Sequence, residues 1–98
     1  MENFWTPLNY EGYEEHLMHK RTHPGFGGYT YEFMFDNGYG ASVIKHNCSY
    51  GNADDLFELA VLNAYGDLVY IEEISEDVIG WLTNEEVIEY FERIKNLE

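Results

Sequence analysis

Three histidines, His16, His19 and His23, stand at spacings of three and four residues. On a continuous helix they would face one way, as the ligands of a helical metal site do. Glu14 and Glu15 could complete such a site, but no HExxH or comparable spacing is present, and Pro24 argues against so regular a helix. The simpler reading is three exposed histidines beside Lys20 and Arg21, holding no metal and gaining charge at mildly acidic pH. His46 and Cys48 place a base and a thiol two residues apart. Such side chains share a face only if a strand continues through both, so no catalytic dyad is assigned. The glycines of NGYGAS, residues 37–42, are hairpin chemistry, because no GK[ST] follows to make a phosphate loop. Nineteen carboxylates offer many acid/base pairs, and none can be singled out without a cleft. The expectation is a non-enzymatic protein with no catalytic residue and no cofactor.

The carboxylates themselves are the stronger signal. Nineteen Asp and Glu stand against five Lys and Arg, a formal charge of −14. Residues 1–50 hold six acids and three bases, and residues 51–98 hold thirteen acids and two bases. Between Lys45 and Arg93 there is no Lys or Arg at all. Direct binding to nucleic acid or to an anionic membrane surface is thereby disfavoured, since either needs a basic patch. Two readings compete: a solvated, self-repelling surface that keeps the chain soluble, and an acidic face that engages a basic protein groove. On the second reading the binding residues are Asp54, Asp55, Glu72, Glu73, Glu76, Asp77, Glu85, Glu89 and Glu92. Carboxylates on one helical face recur about every 5 to 6 Å, whereas phosphates of one DNA strand rise about 3.4 Å along the axis. A helix alone is thus too sparse to imitate a duplex, and a DNA mimic would need the loop acids on the same side. An alternative site uses the Gly/Tyr-rich loops, with Tyr39 and Tyr50 contacting a small ligand or a peptide.

These residues need elements to position them. Tyr10 to Arg21 reads as a short helix with Tyr10, Tyr13, Leu17 and Met18 on one side, ended by Pro24 and the glycines after it. From Tyr29 the period becomes two, with Tyr29, Tyr31, Phe33 and Phe35 alternating with polar residues. Asn37-Gly38 then predicts a type I′ turn into a second strand, Tyr39 to His46, in which Gly40 marks a bulge or a close approach. Leu56 to Leu62 reads as a central strand covered on both faces, and Leu68 to Ile71, after the turn at residues 63–67, as a fourth. Ser75, Glu76 and Asp77 resemble the capped start of a short helix to Leu82, with Trp81 plugging its junction with the next. Thr83 and Glu86 form a capping box for a final helix carrying Val87, Tyr90, Phe91, Ile94 and Leu97 inward and Glu85, Glu89 and Glu92 outward. Of these acids only Glu89 has a basic residue four positions on, Arg93. The five tyrosines 29, 31, 39, 50 and 65 read as core more than as a ligand platform. Glu32, Asp36 and Glu72 are candidate edge-protecting charges.

The expected fold is α+β: a four-stranded antiparallel meander packed with C-terminal helices. Ninety-eight residues fit one domain, with an N-terminal segment 1–28, a sheet over 29–72 and a helical part over 75–97. The single cysteine excludes an internal disulfide framework, and no apolar run spans a bilayer. The start of the chain lacks the basic and apolar regions of a signal peptide. A cytoplasmic location follows as an expectation.

The blocks NGYGAS, SYG, ELAVL and DVIGWLT, within residues 29–97, resemble a family of small conserved bacteriophage- and prophage-encoded proteins with no assigned activity. The resemblance implies a setting in an infected or lysogenic bacterial cell. There, acidic proteins that inhibit nucleases or defence complexes, anti-CRISPR proteins among them, are a common theme. It transfers no site residue.

Overall fold

The computed structural model describes residues 6–22, 28–46, 49–75 and 78–97. Five antiparallel strands, β1 (Leu17–Thr22), β2 (Tyr29–Met34), β3 (Gly40–Lys45), β4 (Phe57–Leu62) and β5 (Ile79–Leu82), lie in sequence order across one sheet. The single α-helix among the described residues, α1 (Asn84–Lys95), follows and packs across β3, β4 and β5. The α+β meander is therefore as expected, with five strands in place of four and one C-terminal helix in place of two.

Alternation decides which face is covered. Tyr31 and Phe33 of β2, Ala41 and Val43 of β3, and Phe57, Leu59 and Val61 of β4 point to the side where α1 inserts Val87, Phe91 and Ile94, all buried. The N-terminal segment completes that layer over β2: Leu8 and Tyr13 are buried in the same cluster, and Tyr10 lies against Tyr31 and Phe33. The opposite face carries the other register. His19, Glu32, Ser42 and Ala60 form one row across β1 to β4.

The β2–β3 hairpin differs in detail from its sequence reading. Gly38 alone takes positive φ (87°), with Gly38 N–H donating to Phe35 O and Phe35 N–H to Tyr39 O. This is a three-residue loop closed by a left-handed glycine, not a type I′ turn. The Asn37 amide is occupied elsewhere: its Nδ2 donates to Ile94 O, Lys95 O and Leu97 O and so caps the C-terminus of α1. Gly40 is the close approach its place in a strand implies, since a Cβ there would stand 2.2 Å from Phe33 O.

Three further expectations are corrected. Residues 10–21 form no helix: a 3-10 turn at Glu14–His16 leads directly into β1, which satisfies the outer edge of β2. Leu68 to Ile71 is no strand: it makes only the isolated bridges Leu62↔Leu68 and Ile71↔Ser75 and one bond from Val69 N–H to Val61 O. The place beside β4 is taken by β5, so the short helix to Leu82 does not form, and β-branched Ile79 with Gly80 suits an edge strand better than a helix. Glu76 and Asp77 lie outside the described residues, as do His23, Pro24 and Cys48. The final helix is as read: Thr83 accepts from Glu86 N–H and Glu86 accepts from Thr83 N–H, the complete capping box. Among the described residues no helix is long and apolar enough to cross a membrane.

Candidate functional site

The sequence-derived acids do not share one role. Asp55 is structural. Its carboxylate takes Lys45 Nζ at 2.8 Å, Thr6 N–H at 2.8 Å and Thr6 Oγ1 at 2.7 Å. Lys45 is almost wholly buried, lies 3.8 Å over the Phe57 ring and donates also to Thr6 O. Burial works against the Asp55 carboxylate, but the bonds from Lys45 and Thr6 outweigh it and hold its pKa below the usual value. Glu92 is partly engaged. Tyr13 Oη donates to it and Lys95 lies 3.6 Å away, so its pKa is also lowered. Burial and the Glu92 carboxylate together push the Tyr13 phenol up to about 12.

The remaining described acids face water. Glu85 and Glu89 lie on the solvent side of α1, Glu72 and Glu73 on the turn before β5, and Asp54 on a 3-10 turn at Asn52–Asp54. No ion pair joins Glu89 to Arg93, whose Nη2 donates to Glu73 O at 2.8 Å and whose guanidinium lies over Tyr90. That bond brings the Glu72–Glu73 turn to the flank of α1.

The bases are placed apart from these acids. His19, Lys20 and Arg21 are exposed on β1, and β1 and β5 are the two edges of the sheet, separated by four strand spacings or about 19 Å. Lys45 is committed to Asp55, so the β4, β5 and outer α1 side keeps a net negative charge relieved only by Arg93 and Lys95 at the helix end.

Of the three histidines, the two described ones do not converge. His16 is buried among Tyr13 and Phe35, with Nδ1 3.2 Å from Met34 O, while His19 stands on the far face of the sheet opposite Glu32. Among the described residues no group of three His, Cys, Asp or Glu could hold a metal ion. His19, Arg21, Thr30 and Glu32 line a shallow depression of about 210 Å³. Ser42 is next in that row, but Glu32 stands between it and His19 and no hydrogen bond joins the hydroxyl to the imidazole. A nucleophile activated by a base is not assembled there.

Sequence reasoning missed a feature at the β4–β5 edge. β5 holds one residue more than the stretch of β4 it faces, and Trp81, in this bulge, takes φ 56°. A left-handed conformation costs a bulky side chain about 1 to 3 kcal/mol. Instead of plugging a helix junction, Trp81 is 58% exposed and stacks on Tyr50, itself 56% exposed, with ring centroids 5.6 Å apart and planes at 25°. Two glycines permit this: a Cβ on Gly51 would lie 2.9 Å from Trp81 Cα, and one on Gly80 2.6 Å from Tyr50 Cβ. Tyr50 N–H donates to Glu58 Oε1 at 2.9 Å, which fixes the loop to β4. The glycines flanking each ring were the available signal. Of the other tyrosines, Tyr31 is wholly buried, Tyr29 and Tyr39 are half-buried and Tyr65 is exposed. Tyr39 and Tyr50 lie beyond opposite ends of β3, roughly 20 Å of strand apart, so one small ligand reaches only one of them.

No protein-family model, curated protein or solved structure matches the chain.

Proposed function

We propose that this is a non-enzymatic interaction protein that engages a basic protein surface through the acidic side built from β4, β5 and the outer face of α1. On this reading it is a bacteriophage- or prophage-type protein acting in the bacterial cytoplasm. Its partner is a nucleic-acid-handling or defence protein whose basic groove it occupies. The observation that carries the reading is the segregation of charge. Glu72, Glu73, Glu85 and Glu89 are exposed on one side, the exposed bases of β1 lie on the opposite edge, and Lys45 is neutralised internally. Carboxylates held on a strand–helix scaffold steer a cationic partner to one side, making association fast and salt-sensitive.

The test reverses charge at two exposed positions whose side chains hold no partner among the described residues, at the modest cost of a first-turn carboxylate at Glu85. Glu85 and Glu89 are exposed and engaged by no described side chain, whereas Glu92 holds Tyr13 and Lys95. Wild-type protein and the Glu85→Lys/Glu89→Lys variant are used to capture proteins from bacterial lysate at about 50 mM and about 500 mM salt. The wild type should retain a basic protein at low salt, release it at high salt, and lose it in the variant. An unchanged captured set in the variant contradicts the proposal.

A further inference from the structure

We propose that the stacked Trp81–Tyr50 pair, with the Glu58 carboxylate beside it, is a platform for an arginine side chain of the partner. The inference rests on the reading that the partner is basic and names the group it presents. More than half of each residue remains in solvent although both rings are large and apolar, so the pair is an exposed patch and not an outlying part of the core. The patch is preformed. Gly51 and Gly80 let the two backbone segments approach closely, and Tyr50 N–H is tied to Glu58 Oε1. Little ordering is left for a partner to impose. Glu58 lies on β4 across from the Gly80–Trp81 bulge, between the pairs Phe57↔Leu82 and Leu59↔Ile79, so carboxylate and rings meet at one place.

Charge complementarity chooses the occupant. The platform lies within residues 46–92, which contain no Lys or Arg, and its own charged group is an acid. A planar guanidinium can lie on the indole face and direct its N–H fork at a carboxylate in one pose, whereas an ammonium is a strongly hydrated point charge that does neither as well. Trp, Tyr and Arg are also the residues on which binding energy concentrates at protein interfaces.

The experiment compares a short Gly-Ser peptide carrying arginines with the same peptide carrying lysines or phenylalanines. Affinities are read by calorimetry at low salt. Contact is located by quenching of Trp81 fluorescence in a Trp5→Phe background. The arginine peptide should bind about three-fold more tightly than the lysine peptide and quench Trp81. Trp81→Gly removes the ring and suits the positive φ, and it should bring the ratio to about one while leaving lysine-peptide affinity unchanged. Tyr50→Ser, placed in a loop, should lower the ratio in the same direction, and Glu58→Gln should weaken arginine binding while keeping an acceptor for Tyr50 N–H. Equal binding of arginine and lysine peptides by the wild type, a ratio unaltered in both Trp81→Gly and Tyr50→Ser, or tighter binding of the phenylalanine peptide would overturn the assignment. Glu85→Lys/Glu89→Lys should leave the ratio intact. A ratio lost on that charge reversal, or absent in the wild type, therefore speaks against the platform, and a lysate capture indifferent to the reversal against the acidic face.

Discussion

Lys45 turns the one base in the middle of the sequence inward. With Asp55 and Thr6 it ties the N-terminal segment to the start of β4, and the ammonium has no water to fall back on. Asp55→Asn keeps the shape and tolerates φ 58° but removes the counter-charge. It should lower stability by about 2 kcal/mol in urea denaturation, less than the full loss for a wholly buried pair because Asp55 is partly exposed. The pKa of Asp55 is lowered in the fold from 3.8, so the contribution is present above that value and lost as pH falls below it. Asp55→Asn should flatten that acid limb, and an unchanged limb would contradict the pairing. Tyr13 has the opposite sign. Its pKa is raised from 10.0 to about 12, so its contribution is complete below pH 10 and is lost as pH rises toward 12. Tyr13→Phe should remove this part of the alkaline loss in thermal melts and return the Glu92 carboxyl toward its ordinary range. Neither partnership was legible in the sequence: Asp55 is 10 residues from Lys45 across a loop and 49 from Thr6, Tyr13 is 79 from Glu92, and only the fold makes them neighbours.

At the scale of elements, what could be read depended on burial. The alternation of Tyr31 and Phe33 and the helical spacing of Val87, Phe91 and Ile94 write the core into the sequence, and the Thr83 capping box marks where α1 begins. β1 carries no such pattern. Five of its six residues are exposed, and it is a strand because the edge of β2 needs hydrogen-bond partners. β5 was hidden by a helix-cap signal at Ser75 to Asp77 and by a bulge that breaks its period of two at Trp81. Both edge strands are bulged, which blunts them against pairing with other chains more directly than Glu32, on an inner strand, could. Gly40 is the element-scale test. With Phe33 O 2.2 Å from the position of an added Cβ, Gly40→Ala must push β2 and β3 apart and should cost about 3 kcal/mol in denaturant titration. A cost near zero would mean that the two strands are not so closely apposed.

For the whole molecule, the charge of −14 became informative once its parts had places. The acid-rich second half was visible in the sequence, but which acids face outward together was not. Asp55 has left the candidate surface, Glu92 is shared with Tyr13 and Lys95, and Glu72 and Glu73 are drawn toward α1 by Arg93. What remains is the β4–β5 end of the molecule, with the exposed carboxylates of α1 over one face and the aromatic pair beside Glu58, which points away from α1, opposite an edge carrying Lys20 and Arg21. An acidic docking face shows itself in the association rate of the captured partner with wild-type protein and with Glu85→Lys/Glu89→Lys, at about 50 mM and about 500 mM salt. The rate should fall at least about ten-fold with salt for the wild type, and the variant should begin near the low value and change little. A wild-type rate indifferent to salt and to the charge reversal would contradict an acidic docking face.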